Sequence, residues 1–261
     1  MYDLDLTTSH AQPQSDIETR DITIGALLRE VAAARPEAEA LVEVKQNGTK
    51  GRRWTYAELM QNAERLAMAL STRFAPGERV VVWSPNSPEW VLLEYASALS
   101  GIVLVTANPA FQARELAYVL EQSGAVALFL VKEFRGNPMG QIGTEVAASI
   151  PSVREVTDME SVALYTQGSR PIALPNADLG DAAMIQYTSG TTGFPKGAVL
   201  CHRTGQQRPV LRGSLWDNRG DHLGQHHADV SHLRLRHGHT RLPAGGMPNG
   251  FDQPVCSRCC T

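Results

Sequence analysis

The sequence predicts an α/β fold with a largely parallel sheet and flanking helices. Two observations carry this. Short, wholly apolar runs such as Val80 to Trp83 and Ile102 to Val105 have the character of strands buried on both faces. Segments of helical period, each with its own start and stop signals, alternate with those runs.

Met1 to Arg20 is polar and lacks periodicity, as expected of a loose arm. Thr23 is placed to cap a helix running through Arg35, with Ile24, Leu27, Leu28, Val31 and Ala32 on one face, and Pro36 stops it. Ala40 to Val44 reads as a short strand, and Asn47-Gly48 as a hairpin turn leading toward Trp54. Thr55 and Glu58 form a capping box. The helix they open buries Leu59, Ala63, Leu66, Ala67 and Leu70, and Pro76-Gly77 closes that unit. After the strand at Val80 to Trp83, Ser87 and Pro88 start a helix that Gly101 ends. Strand Ile102 to Val105, helix Gln112 to Ser123 (finished by Gly124) and strand Val126 to Val131 follow. A helix at Gly140 to Ser149 and a strand at Val153 to Val156 complete the alternation. Asp158 to Asp178 is a loop-rich connection.

The connection leads into Ala182 to Arg203, where the chemistry concentrates. An apolar run reaches Tyr187; a loop of Thr, Ser and Gly follows, closed by Pro195, Lys196 and Gly197; Ala198 to Leu200 is apolar again. Strand, small-residue loop, strand is the pattern. Such a loop lets successive N–H groups point into one concavity, which suits an anion. The hydroxyls of Thr188, Ser189, Thr191 and Thr192 add donors, and Lys196 adds a mobile positive charge. That set suits a polyphosphate. The helix-opening Gly-Lys-Ser/Thr loop is a different template, because Phe194 and Pro195 separate Gly193 from Lys196. A parallel sheet binds ligands at the carboxyl ends of its strands, where this loop is expected.

YTSGTTGFPKG closely resembles the phosphate-binding signature of the adenylate-forming superfamily, the AMP-binding acyl-CoA synthetases and their relatives. The resemblance covers roughly Thr23 to Arg203. WTYAELMQNAERLAMAL and the run from Gly77 to Ala125 look like the fatty-acyl and medium-chain branch, including its Asn108-Pro109 turn. Asn86, Asn108 and Pro109 are read as turn-shaping residues rather than ligand contacts.

The resemblance implies that a carboxylic acid attacks the α-phosphate of ATP, pyrophosphate leaves, and a thiol, usually coenzyme A, takes the acyl group. It implies ATP, Mg²⁺ and coenzyme A as cofactors, and ATP and a carboxylic acid as partners. Thr188, Ser189, Gly190, Thr191, Thr192 and Gly193 would cradle the β- and γ-phosphates, with Lys196 near the pyrophosphate. His202 is read either as a support for the following helix or as a structural residue of the second strand. The family's adenine-binding segment, Mg²⁺-binding glutamate, ribose-binding aspartate and catalytic lysine lie further on, and nothing after Arg203 resembles them. Lys196 is the last lysine in the sequence, so no catalytic residue and no metal ligand is assigned.

Composition breaks at the same place. From Thr204 to Thr261 there is no Lys, Glu, Ile or Tyr, yet the segment holds six of the eight histidines and three of the four cysteines. The expected division is a loose arm over 1–21, a partial AMP-binding domain over 22–203 and an aberrant tail over 204–261. The tail reads as a misframed continuation. His227 to His232 can be encoded CAT-GCC-GAT-GTT-TCA-CAC, and one base later those nucleotides give MPMFH, which resembles the family's own MPxFH segment. Two further readings stand beside this one. A non-catalytic nucleotide-binding or interaction module would use the tail as a genuine partner-binding arm. A zinc module would use its His and Cys residues, although its single Cys-x-x-Cys has no partner pair at finger-like spacing.

The net charge of −3 supplies no field for nucleic acid or an anionic membrane. The longest apolar stretch, Val91 to Val105, is interrupted by Glu94 and Gly101 and is too short to span a bilayer. With no signal peptide and few cysteines, a cytoplasmic protein is expected.

Overall fold

The fold was established from a computed structural model, which describes residues 21–45, 47–161, 172–188 and 195–203. It opens with helix α1 (Ile24–Ala34), capped by the Thr23 hydroxyl, which accepts from the Ala26 N–H at 3.3 Å. Strands β1 (Glu39–Val44) and β2 (Lys50–Thr55) form a separate antiparallel hairpin. Helix α2 (Tyr56–Ser71) follows at once. Thr55 and Glu58 close a reciprocal capping box there, so the turn that ends β2 also satisfies the first free N–H groups of α2.

The main body is a six-stranded sheet. Its strands are β3 (Arg79–Trp83), β4 (Val103–Ala107), β5 (Ala127–Leu130), β6 (Glu155–Asp158), β7 (Ala182–Thr188) and β8 (Lys196–Cys201). They lie in the order β6-β5-β3-β4-β7-β8. All neighbours are parallel except β7 and β8, which pair antiparallel. Helices α3 (Pro88–Ser100), α4 (Ala113–Ser123) and α5 (Met139–Ala148) make the crossovers. Gly101 ends α3 at φ 69°, the left-handed conformation in which a side chain would be strained.

Alternate residues of the central strands feed two cores, as a strand's period of two requires. Val80, Val82 and Leu104 pack with α1, α2 and α3. Val81, Trp83, Val105 and Leu128 pack with α4 and α5. Leu59, Ala63, Leu66, Ala67 and Leu70 of α2 are all buried, as their spacing predicts. The last strand before the connection starts two residues later than expected, at Glu155. Pairing with β5 selects this register, since the Arg154 N–H already bonds the Val126 carbonyl and the ladder begins one step on. Around it, Arg154 reaches both carboxylate oxygens of Glu78 (2.9 and 2.6 Å) and the Arg73 carbonyl (3.0 Å), tying the entry of β6 to that of β3. The Arg154 guanidinium holds the Glu78 carboxyl below its ordinary range.

β8 is exposed over most of its length. Lys196, Gly197, Ala198 and Val199 are all exposed, and Val199 is 41% exposed. An exposed apolar residue on the sheet's outermost described strand promotes edge-to-edge association. Val199→Lys is therefore expected to raise the concentration at which the purified chain stays monodisperse, with its melting temperature little changed. Light scattering against concentration checks this, and an unchanged threshold would clear β8 as the cause.

Candidate functional site

β7 is the pivot of the site. It enters the sheet beside β4, with Leu104 opposite Met184 and Thr106 opposite Gln186, so it shares the direction of the parallel strands. Thr188 therefore lies at the edge where Trp83, Ala107, Leu130 and Asp158 end their own strands. The chain returns along β8, and Thr188 stands opposite Lys196. Of the predicted phosphate-binding residues, Thr188 and Lys196 are thus brought together as the facing ends of one hairpin. Ser189, Gly190, Thr191, Thr192 and Gly193 lie outside the described residues, as does the whole of 204–261.

The turn residues behave as the sequence predicts. Asn108 Oδ1 accepts from the Ala110 N–H at 2.9 Å, a local turn-forming bond. Its carbonyl accepts from the Phe111 N–H at 2.9 Å and from Trp83 Nε1 at 2.9 Å. The ends of β3 and β4 are thereby fastened to each other on the loop-bearing edge, a role for the Trp83 indole that the sequence does not disclose. Nearby, Lys132 and Asp158 pair at 3.2 Å across the ends of β5 and β6.

Two further residues escape sequence reasoning. The Tyr187 ring lies across Gly197, its direct partner on β8: a Cβ at Gly197 would fall 3.1 Å from Tyr187 Cζ and 3.0 Å from Ile185 Cγ2. Partial burial, with a smaller contribution from Tyr118, pushes the Tyr187 hydroxyl up to about 12, so it stays protonated at neutral pH. Tyr187, Gly197, Ile185 and Val199 also line a groove of about 780 Å³ that reaches Gln122 and Arg79. The signal that could have found the pair was an aromatic and a glycine placed symmetrically about the loop.

His202 follows β8 directly. Its N–H bonds the Asp181 carbonyl at 3.0 Å and its ring is buried to 1% exposure, which matches the structural one of its two expected roles. Among the described residues neither ring nitrogen has a hydrogen-bond partner. Burial holds its proton affinity below the ordinary value of 6.5, while the Asp181 charge acts weakly the other way. The unfolded ring therefore binds a proton more readily than the folded one. The resulting stability is complete above about pH 6.5 and falls as the pH drops through the folded value. Melting between pH 7.5 and 5.5 is expected to show this loss, and His202→Leu to shrink it; an unchanged pH slope in the variant would exclude the ring as its source.

The described residues contain no group of three His, Cys, Asp or Glu side chains that could hold a metal ion. No helix among them is long and apolar enough to cross a membrane.

The family model described as AMP-binding enzyme matches residues 28–228, most of the chain. The chain belongs to this family. AMP-binding relatives include a mitochondrial medium-chain acyl-CoA ligase of Macaca fascicularis, 35% identical over 211 residues, covering 69% of this chain and 33% of the relative. A putative acyl-CoA synthetase of Bacillus subtilis is 32% identical over 212 residues, covering 69% and 37%. Among solved structures, the Mycobacterium tuberculosis fatty acyl CoA synthetase superposes with a TM-score of 0.58 at 29% identity, covering 69% of this chain and 34% of that one. MbtA of Mycobacterium smegmatis gives 0.62 at 29% identity, with 71% and 34% covered. The chain thus spans about a third of the length of these AMP-binding proteins. The expected fold, a mostly parallel sheet with flanking helices of the acyl-CoA synthetase type, is the one observed.

Proposed function

We propose that this chain carries the phosphate-binding part of an enzyme that activates a carboxylic acid, most simply a fatty acid, with ATP. The acid becomes an acyl-adenylate and then an acyl-CoA. The observation that supports this is the hydroxyl- and glycine-rich loop whose two ends, Thr188 and Lys196, face each other at the carboxyl edge of the parallel strands. In this reading Thr188, Ser189, Gly190, Thr191, Thr192 and Gly193 aim N–H and hydroxyl donors at the β- and γ-phosphates, and Lys196 neutralises charge as pyrophosphate leaves. Mg²⁺ would accompany ATP and share that charge; coenzyme A would accept the acyl group.

By itself the chain is proposed to bind ATP without completing the reaction, because its sequence carries no lysine after Lys196 and no match to the later family motifs. Its division into an arm over 1–21, a partial adenylation domain over 22–203 and a misframed tail over 204–261 belongs to the same proposal. The boundary at 203 rests on composition; the family match itself continues to residue 228. Calorimetry with ATP and Mg²⁺ tests the phosphate site, and no measurable heat of binding would sink it. Acid-dependent exchange of pyrophosphate into ATP by the purified chain would overturn the inactivity. Reading the coding DNA across codons 195 to 232 decides the tail: a shifted frame that fails to give MPMFH from the codons of His227 to His232 removes the frame slip and leaves a genuine His- and Cys-rich arm.

A further inference from the structure

Gly197 is glycine for a reason other than backbone freedom. It is absent from the glycines with positive φ, so its conformation is one that any residue adopts. What it lacks is room. A Cβ there would press on Ile185 Cγ2 at 3.0 Å and on Tyr187 Cζ and Cε1 at 3.1 and 3.4 Å. The Tyr187 ring occupies the space that a side chain of β8 would fill.

A glycine weakens the strand that holds it, and an aromatic ring laid across it from the paired strand compensates by covering the bare backbone. The position of this pair matters. Tyr187 and Gly197 are the last partners before Thr188 and Lys196, which bound the loop. A slip of one residue would bring Lys196 or Ala198 opposite Tyr187, and either would place a Cβ where the ring now lies. Such a slip would also turn every β8 side chain to the other face. Pairing with glycine leaves the ring in place without that crowding.

We propose that Tyr187 stacked on Gly197 is a register lock, a positioning pair that holds Lys196 opposite Thr188 so that both ends of the loop address one phosphate group. The inference rests on the phosphate-site reading of the loop for its functional consequence, though the lock itself does not.

Two readouts on the full chain separate these. Hydrogen exchange of the β7 and β8 amides reports the register without nucleotide, and calorimetry with Mg·ATP reports its consequence. Tyr187→Phe keeps the ring and is expected to leave both unchanged. Tyr187→Leu and Gly197→Val are expected to speed exchange in the hairpin by about fivefold or more relative to β3 and β4, and to weaken ATP to a similar degree. Gly197→Ala should cost less in the Tyr187→Ala background than in the wild type, because the clash then has no ring to meet. Unchanged hairpin exchange in Tyr187→Leu overturns the lock, whatever ATP does. Faster exchange in a chain that never bound ATP upholds the lock and removes the phosphate-site reading.

Discussion

Trp83→Ala is expected to destabilise the folded chain by about 3–5 kcal/mol, the range for deleting a large buried aromatic. Trp83 has no exposed surface and packs among the residues beneath α4 and α5, so its removal leaves a cavity that a two-layer interface cannot readily close. The indole also donates to the Asn108 carbonyl, but that oxygen keeps the Phe111 N–H, so lost packing outweighs the lost hydrogen bond. Against a typical total stability of about 5–15 kcal/mol, such a loss takes much of what holds the domain together. Urea titration followed by circular dichroism measures it. Trp83→Phe should recover most of the stability, and a Trp83→Ala chain melting within about 1 kcal/mol of wild type would mean that the ring is not a keystone of this core.

Lys196→Ala is expected to weaken ATP by about 10- to 150-fold, the equivalent of losing one charge-assisted contact of about 1.5–3 kcal/mol. The residue is exposed on the outermost described strand, so the same change should move stability by no more than about 0.5 kcal/mol. The two measurements together separate a ligand contact from a structural one. Wild-type affinity should also fall with added salt, since an exposed ammonium is screened. Lys196→Arg keeps the charge but spreads it over a planar fork, and is expected to retain only part of the affinity. Equal ATP affinity in wild type and Lys196→Ala would remove Lys196 from the site.

The legible parts of the fold were those written in local chemistry. Thr55 with Glu58, Ser87 with Pro88, and Gly101 and Gly124 each mark a helix end through bonds made within a few residues, so they could be read one at a time. The capping box at Gln112 and Glu115 follows the same logic. The start of β6 was less legible, because Val153 and Val156 fit a strand equally well and only the ladder with β5 selects Glu155. Within the site, the hydroxyls, glycines and lysine were visible as residue types. Their neighbours Tyr187 and Trp83 were not, since an aromatic in a strand looks the same whether it merely fills the core or holds a turn.

The sequence by itself determined the succession of elements, the two-sided burial of the central strands and the family, because periodicity, caps and an eleven-residue signature are properties of neighbours along the chain. Tertiary structure alone decided that β7 joins β4 in parallel while β8 turns back antiparallel, that Thr188 faces Lys196, and that a Cβ at Gly197 would press on Tyr187 and Ile185. Those facts depend on which strand lies beside which, and hydrogen bonds between strands leave no periodic mark in the residues that make them.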